Sequence, residues 1–300
     1  MSAIKRKEVI LSEVEAGKLI HDGMTVAIGG FINSLHPMAI IRQIIRNQLR
    51  NLTLVGSANA GLDVDLLIGA GCVKKVIATY VGAELLAPIG PMYRALAQAG
   101  EVETCECDEA IMYAGLRAEI QKLPFLPVRD EIGTSYPEIN PGLKVFEDPI
   151  RGEKLIAVPP ISPEIAILHA GYADCYGNVQ HVGSTLNDEI IWMAADATIV
   201  EVEKIVSNEE IRRSPQSTKM YGVEGIVRAP YGAHPYASPG FYVEDGEHIK
   251  EYVAAGTAYL KTGDRGPFQA YLDRYVYEPE THLDYLERIG VTRLLSLHEY

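Results

Sequence analysis

The chain has 300 residues, 47% of them apolar and 22% charged, and a formal charge of −13 at pH 7. It can bury a full core, as one large domain or two halves, which excludes disorder; its acidic balance argues against DNA or RNA binding, which needs clustered Lys and Arg to replace phosphate counterions. After Lys5, Arg6 and Lys7 no apolar run is long enough for a signal peptide or a transmembrane helix, so a cytoplasmic protein without membrane association is expected. Cys72, Cys105, Cys107 and Cys175 are scattered, and Cys105-Glu106-Cys107 is a C-x-C without a second pair, which suits reduced, buried thiols rather than a structural metal.

In chain order, Ile10 to His21 has the spacing of a short amphipathic helix, and Met24 to Phe31 reads as a buried strand. That strand runs into Gly29-Gly30-Phe31-Ile32-Asn33-Ser34. Two glycines there let another group approach the backbone, and the N–H groups of the turn and helix start can face an anion or a carbonyl oxygen. The turn lacks G-x-G-x-x-G, and no G-x-x-x-x-G-K-[ST] occurs elsewhere. Pro37 to Leu49 follows as a helix with Ile40, Ile41, Ile44 and Ile45 on one face and Arg42, Arg46 and Arg50 on the other. Leu52 to Gly56 is a second strand, and Ser57-Ala58-Asn59-Ala60-Gly61 a small-residue turn into a helix from Asp63 to Ile68. The same device recurs with a strand from Val73 to Tyr80, the turn Tyr80-Val81-Gly82-Ala83-Glu84 and a helix from Pro91 to Gln98. Glu101 to Cys107 is a short strand before a helix from Glu109 to Gln121, which Leu123-Pro124-Phe125-Leu126-Pro127 ends.

This alternation predicts an α/β fold with an open, mostly parallel sheet covered by helices, its glycine turns gathered along the carboxyl edge where such sheets bind ligands. Residues 133–154, rich in Pro, Gly and charge, read as a long excursion within a single domain spanning 1–300. The sheet pattern then resumes at Leu155 to Val158, Ile165 to Ala170, Thr198 to Val202 and Gly225 to Ala229, with a helix from Asp188 to Ala195. A helical, tyrosine-rich tail occupies about 250–290, and its tyrosines suit an interface or outer face.

The candidate chemistry lies in the three turns and in Glu109, which follows Asp108 at a helix start. Capping and the helix dipole alone also account for an acidic pair there. His169, His181 and His234 sit at strand ends or turns and read as hydrogen-bonded edge residues, since neither G-x-S-x-G nor H-E-x-x-H occurs. The charged run from Val202 to Pro215 reads as a solvated helix start capped by Ser207, with ion pairs suited to a polar interface with another chain.

Taken together, several long motifs in order resemble the α subunits of family I CoA-transferases, most closely those of the glutaconate CoA-transferase branch. They are Ile28-Gly29-Gly30-Phe31 with Pro37, Asp65 to Gly71 leading into Val73-Lys74, Leu123 to Val128, Ile205 to Arg213, Ala229 to Pro235, and Tyr285 to Leu294. The resemblance implies an open α/β sheet of the CoA-transferase (NagB/RpiA-like) type and a β-subunit partner in an α2β2 assembly. It implies acyl-CoA and carboxylate substrates, no tightly bound cofactor and no metal. A β-subunit glutamate would attack the acyl-CoA carbonyl and pass through a mixed anhydride to a glutamyl-CoA thioester. The partner's S-E-N-G motif is absent here, and Val243-Glu244-Asp245-Gly246 is only a decoy in a charged late loop. The implied share of this chain is a half-site in which the Gly29, Gly30, Phe31 turn and the Ser57 to Gly61 turn hold the acyl group and help stabilise the oxyanion. Asn33, Ser34, Asn59, Ala60, Tyr80, Glu84 and Arg129 are further substrate contacts. An unpaired face predicts poor solubility without the partner.

Two departures stand out. Leu35-His36-Pro37 replaces the basic residues often found before that proline, which suits a longer or less acidic acyl group. Glu106-Cys107-Asp108-Glu109 and Leu123 to Arg129 resemble steroid-degradation hydrolases on the same scaffold, which open a ring of a CoA-linked substrate with water. In those enzymes an α-chain glutamate matching Glu109 takes part in catalysis, so Glu109 becomes a candidate general base or substrate contact. A non-catalytic scaffold role is the remaining alternative.

Overall fold

Strands and helices alternate as the apolar patterning requires in a computed structural model that describes residues 6–298; Lys5 lies outside the described residues. The first half contains β1 (Ile10–Leu11), α1 (Glu13–Gly17), β2 (Thr25–Ile28), α2 (Met38–Arg46), β3 (Leu52–Val55), α3 (Leu62–Gly69), β4 (Val73–Ala78), α4 (Pro91–Gln98), β5 (Glu103–Glu106) and α5 (Glu109–Ile120). The middle contains β6 (Leu126–Val128), α6 (Tyr136–Ile139), β7 (Lys144–Glu147), β8 (Lys154–Val158), β9 (Ile165–Ala173), β10 (Val179–Gln180), α7 (Asp188–Ala194), β11 (Ala197–Ile205), α8 (Asn208–Arg213), β12 (Thr218–Met220) and β13 (Gly225–Arg228). Helices α9 (Gly246–Thr262), α10 (Gly266–Leu272), α11 (His282–Ile289) and α12 (Val291–Ser296) form the tail.

Eight strands make a parallel path in the order β1-β13-β11-β9-β2-β3-β4-β5, with β10 antiparallel to β9 and β12 antiparallel to β10. Alternate side chains go to opposite faces, so each strand feeds two cores. Val26, Ile28, Leu52, Leu54, Ile165 and Ile167 pack with α2, α3, α4 and the tail, while Ala27, Val55, Ala166, Leu168 and Ala170 pack with α5, α7 and the second sheet. All eight carboxyl ends therefore face one edge.

The structure corrects several expectations. Ile10–Leu11 is not helical: it pairs with β13, and only Glu13–Gly17 coils, started by a Ser12–Glu15 capping box. Residues 133–154 are not a plain excursion, because β7 pairs with β8; β8, read as part of the main sheet, belongs with β6 and β7 to a separate antiparallel sheet. Arg42 does not face solvent, since the tail covers that side of α2. Its guanidinium lies 3.6 Å from the Tyr285 ring centre and donates to His234 O (3.2 Å) and His282 Nδ1 (3.1 Å). Tyr252, Tyr271, Tyr275 and Tyr285 are likewise buried in this chain's own core rather than on an outer face.

The tail's histidines are held neutral. His282 accepts from Arg42 at Nδ1, so its proton sits on Nε2 and is donated to Pro230 O (2.7 Å); burial and then the Arg42 charge push its pKa down to about 3. Burial also lowers His234, partly offset by Asp245, and holds His248 well below its ordinary value. Unfolded histidines titrate near 6.5, so below that pH the unfolded chain takes up protons that the folded chain refuses. Stability is therefore lost as pH falls below about 6.5, for His282 down to about 3 and by up to about 1.4 kcal/mol per pH unit, with His234 and His248 acting in the same direction. Urea midpoints from pH 7.5 to 4.5 should fall steeply for the natural chain and less steeply for His282→Gln; equal slopes would refute the assignment.

Candidate active site

Three strand ends build the edge. Gly29 N–H continues the parallel ladder to Ile167 O (3.0 Å), and Gly30, at φ +91°, turns the chain away. A Cβ at Gly29 would lie 2.5 Å from Asp188 Oδ1, and one at Gly30 2.9 Å from the His36 backbone nitrogen and ring, so neither position admits a side chain without a shift. Phe31 and Ser34 exchange backbone hydrogen bonds (2.9 and 3.1 Å) to close the turn. Ile32 N–H then donates to Asn59 O (3.2 Å), Ala60 N–H to Tyr80 O (3.2 Å), and Gly82 N–H back to Ala60 O (3.1 Å). The turns holding Gly29, Gly30, Phe31, Asn33 and Ser34, then Ser57, Asn59, Ala60 and Gly61, then Tyr80 and Glu84, thus form one hydrogen-bonded wall. In the third, the Tyr80 hydroxyl accepts from Glu84 N (3.1 Å), and the Glu84 side chain is exposed.

The wall is not the open oxyanion cradle expected of its glycines. Gly29 donates to Ile167 O, Gly30 to Asp188 Oδ1 (3.0 Å), Phe31 to Ser34 O and Ile32 to Asn59 O, so these amides are spent on building the turn. Buried side-chain groups of the edge lack partners as well. Among the described residues, seven buried side-chain polar atoms lack a hydrogen-bond partner; Asn33 Oδ1, Ser57 Oγ, Asp63 Oδ1, His181 Nδ1 and Asn187 Nδ2 belong to this edge or its supports. Buried polar atoms are ordinarily satisfied, and such a concentration marks where an outside group can complete them.

Beneath the turn, His36 is fully buried: Nδ1 meets Asp63 Oδ2 (2.9 Å), Nε2 meets Ile32 O (3.0 Å), and Tyr236 packs 4.2 Å away. It is a strut for the turn and offers no clamp for a substrate carboxylate. A second support is deeper. His169 Nδ1 meets Glu201 Oε1 (3.0 Å), its register partner on β11, while Nε2 lies 3.1 Å from Glu203 Oε1 and 3.2 Å from Ser238 Oγ. Burial pushes this imidazole's pKa down, but the hydrogen bonds and charges of the two carboxylates prevail and raise it to about 9. Glu201 Oε2 also accepts from Ile40 N (3.1 Å), and Ala237, next to Ser238, exchanges backbone hydrogen bonds with Asn33 and Leu35.

Glu109 is exposed at the first position of α5, whose cap is Asp108, with Oδ1 accepting from Ile111 N (2.8 Å). One turn on, the pKa of Tyr113 is raised by burial and then by the Glu109 charge, and its hydroxyl donates to Asn187 Oδ1, beside Asp188. Tyr113 thus ties α5 to Asn187, whose neighbour Asp188 holds Gly30. Arg129 follows β6 in the smaller sheet, exposed, and its ion pair is with Glu153 beside β8 rather than with any turn. His169 and His234 are core residues rather than edge residues, and His181 is buried against Asp188. Asp245 of the decoy caps α9 through His248 N (3.0 Å) and pairs with His234 and Arg293. Ser207 caps α8 as expected, but Glu203 is buried, not solvated.

Asn187, Asp188, Tyr113, Glu201 and Glu203 are contributors that motif reasoning passed over. The one local signal was Glu201-x-Glu203, two carboxylates at alternate positions beside the apolar Ile199, Val200 and Val202.

With the geometry in view, comparison with known proteins is specific. The model of the Coenzyme A transferase family matches residues 11–229. A glutaconate CoA-transferase chain of Acidaminococcus fermentans is 35% identical over 93% of this chain and 91% of that one. The crystal structure of glutaconate coenzyme A-transferase from the same organism superposes with a TM-score of 0.89, at 32% identity, over 97% of this chain and 96% of that chain. The cholesterol ring-cleaving hydrolase IpdA subunit of Mycobacterium tuberculosis is 33% identical over 79% of this chain and 85% of its own length. An uncharacterized protein of Archaeoglobus fulgidus is 35% identical over 95% of this chain, which spans only 63% of that longer protein. The chain belongs to the coenzyme A transferase family.

Proposed function

We propose that this chain is the α subunit of a heteromeric CoA-transferase that moves CoA between carboxylic acids, working in the cytoplasm with a β subunit in an α2β2 complex. The observation that carries the reading is the wall of three joined turns, with Asn33 Oδ1 and Ser57 Oγ buried and unpartnered. A carboxylate oxygen of the partner's glutamate attacks the thioester carbonyl, the C–S bond breaks, and the CoA thiolate leaves a mixed anhydride. The thiolate then attacks the glutamyl carbonyl and frees the first acid; an acceptor carboxylate runs the sequence in reverse. With the amides of Gly29, Gly30, Phe31 and Ile32 spent, the buried Ser57 hydroxyl is the side-chain donor this chain offers to the developing oxyanion, while Gly29, Gly30, Phe31 and the Asn59 to Gly61 segment confine the acyl group. Tyr80 and Glu84 extend the wall; Arg129, off the edge, would reach substrate only at its periphery.

A second reading is a hydrolase that opens a ring of a cyclic acyl-CoA. It is favoured by the exposed Glu109 carboxylate, which makes no hydrogen bond among the described residues, and by the relative named for cholesterol ring cleavage. There Glu109 takes the proton of the attacking water.

The purified complex with its partner should be incubated with acyl-CoA, reduced with borohydride and examined by mass spectrometry. A partner glutamate converted to its alcohol is expected, with Ser57→Ala lowering kcat about 100-fold and Glu109→Gln leaving the adduct intact. No adduct, together with release of a ring-opened acyl-CoA that Glu109→Gln abolishes, would replace the transferase by the hydrolase. Gly30→Val should abolish either activity, since its Cβ would collide with His36 at a positive φ; unchanged turnover would leave only a scaffold role.

A further inference from the structure

Between α5 and α7 the edge carries a pair of side chains that neither reading uses. His181 and Asn187 are 7% and 5% exposed, and each has one polar atom fixed by the protein and one left alone. His181 Nε2 lies 2.8 Å from Asp188 Oδ2, while Asp188 Oδ1 accepts from Gly30 N–H. A carboxylate that already accepts at one oxygen takes a proton donor at the other. In the neutral imidazole the proton therefore sits on Nε2, and Nδ1 presents a lone pair. Asn187 is fixed in the opposite sense: its Oδ1 accepts from the Tyr113 hydroxyl, so its unpartnered Nδ2 presents N–H donors. One acceptor and one donor thus flank Asp188, which is itself bonded to the glycine turn.

Resting on the acyl-CoA reading above, we propose that His181 and Asn187 form a polar subsite beside the Gly29–Gly30 turn for a group that both donates and accepts a hydrogen bond, a hydroxyl or a secondary amide of an acyl-CoA. A carboxylate has no proton for Nδ1, and an ammonium has no lone pair for Asn187, so both are excluded. Solvent reaches Asn187 through a cleft of about 510 Å³ lined by Tyr113, Arg117, Thr185, Leu186 and Ile190. Asp188 is a positioning residue: it sets the tautomer of His181 and holds Gly30, and the missing Cβ of Gly29 is what lets it come so close.

The test is calorimetric binding of 3-hydroxybutyryl-CoA and butyryl-CoA to the complex, natural and with His181→Gln or Asn187→Asp. Glutamine keeps an N–H for Asp188 and replaces the Nδ1 acceptor by a carbonyl oxygen displaced from the ring position; aspartate keeps the acceptor for Tyr113 and loses the donor. The natural complex is expected to prefer the hydroxylated thioester by about tenfold, and either variant to erase that preference with an unchanged melting temperature. An equal, about tenfold weakening of both thioesters at unchanged melting temperature assigns the subsite to the amides of the CoA arm instead. Unchanged affinities, or losses that only track a lowered melting temperature, overturn the proposal and make the pair structural. A complex that binds both thioesters but forms no adduct and transfers no CoA fails the transferase reading alone, and the same affinities still decide the subsite.

Discussion

The hydrogen bond from Gly30 N–H to Asp188 Oδ1 is the contact on which the edge depends. It joins residues 158 positions apart and requires the backbone of β2 to leave the sheet with no side chain on either glycine. Once the chain turns there, Ile32 meets Asn59 and Asn59's neighbour Ala60 meets Tyr80, so the direction of one turn fixes the next two. The glycines are therefore steric requirements of a wall. They are not spare amides waiting for a ligand.

Close approach has a cost at the helix starts behind the turns. α2, α3 and α4 begin after Pro37, Gly61 and Gly90, none of which supplies a capping side chain. Their first N–H groups would go unsatisfied in a buried setting. Distant side chains take over: Glu201 accepts from Ile40, the Tyr236 hydroxyl from Leu62, and Asp65 from Met92 and Tyr93. Burial raises Asp65 to about 6, the Tyr252 hydroxyl (2.6 Å) and the α4 amides opposing that shift, so the tail helix α9 is tied to the same capping carboxylate. The buried ionisable groups of this fold thus serve the helices that carry the site, which explains carboxylates inside an otherwise apolar sheet.

These dependencies also set how much of the molecule is legible in its sequence. The alternation of β2 through α5, the three turns and the acidic start of α5 are local patterns, and each lies within a dozen residues of its cause. The placement of β8 beside β6 and β7, the burial of Arg42 and the turning inward of the tail tyrosines depend on segments far along the chain. Amphipathicity put Arg42 on a solvent face because nothing near it announces α11 as a cover. Asp188 has the same difficulty: at the start of a helix an aspartate reads as a cap, and only the folded chain brings it to Gly30. The resemblance to CoA-transferase α subunits pointed to the turns as the site, but the spent state of their amides was visible only in three dimensions.

That spent state bears on the division of labour with a partner. A chain whose Gly29, Gly30, Phe31 and Ile32 amides are spent has fewer backbone donors for a developing oxyanion, and the edge supplies a buried, unpartnered hydroxyl at Ser57. Among the described residues no base is hydrogen-bonded to the Ser57 hydroxyl to activate it as a nucleophile, and two carboxylates of the edge are committed to the structure, Asp63 to His36 and Asp188 to Gly30 and His181, while Glu84 and Glu109 are exposed. Under the proposed transferase reading the attacking carboxylate comes from the partner, onto a wall whose turns are already joined by hydrogen bonds. Rigidity suits that arrangement, because a covalent step shared between two chains gains from preorganisation only if the surface receiving the acyl group does not move when the partner's glutamate arrives.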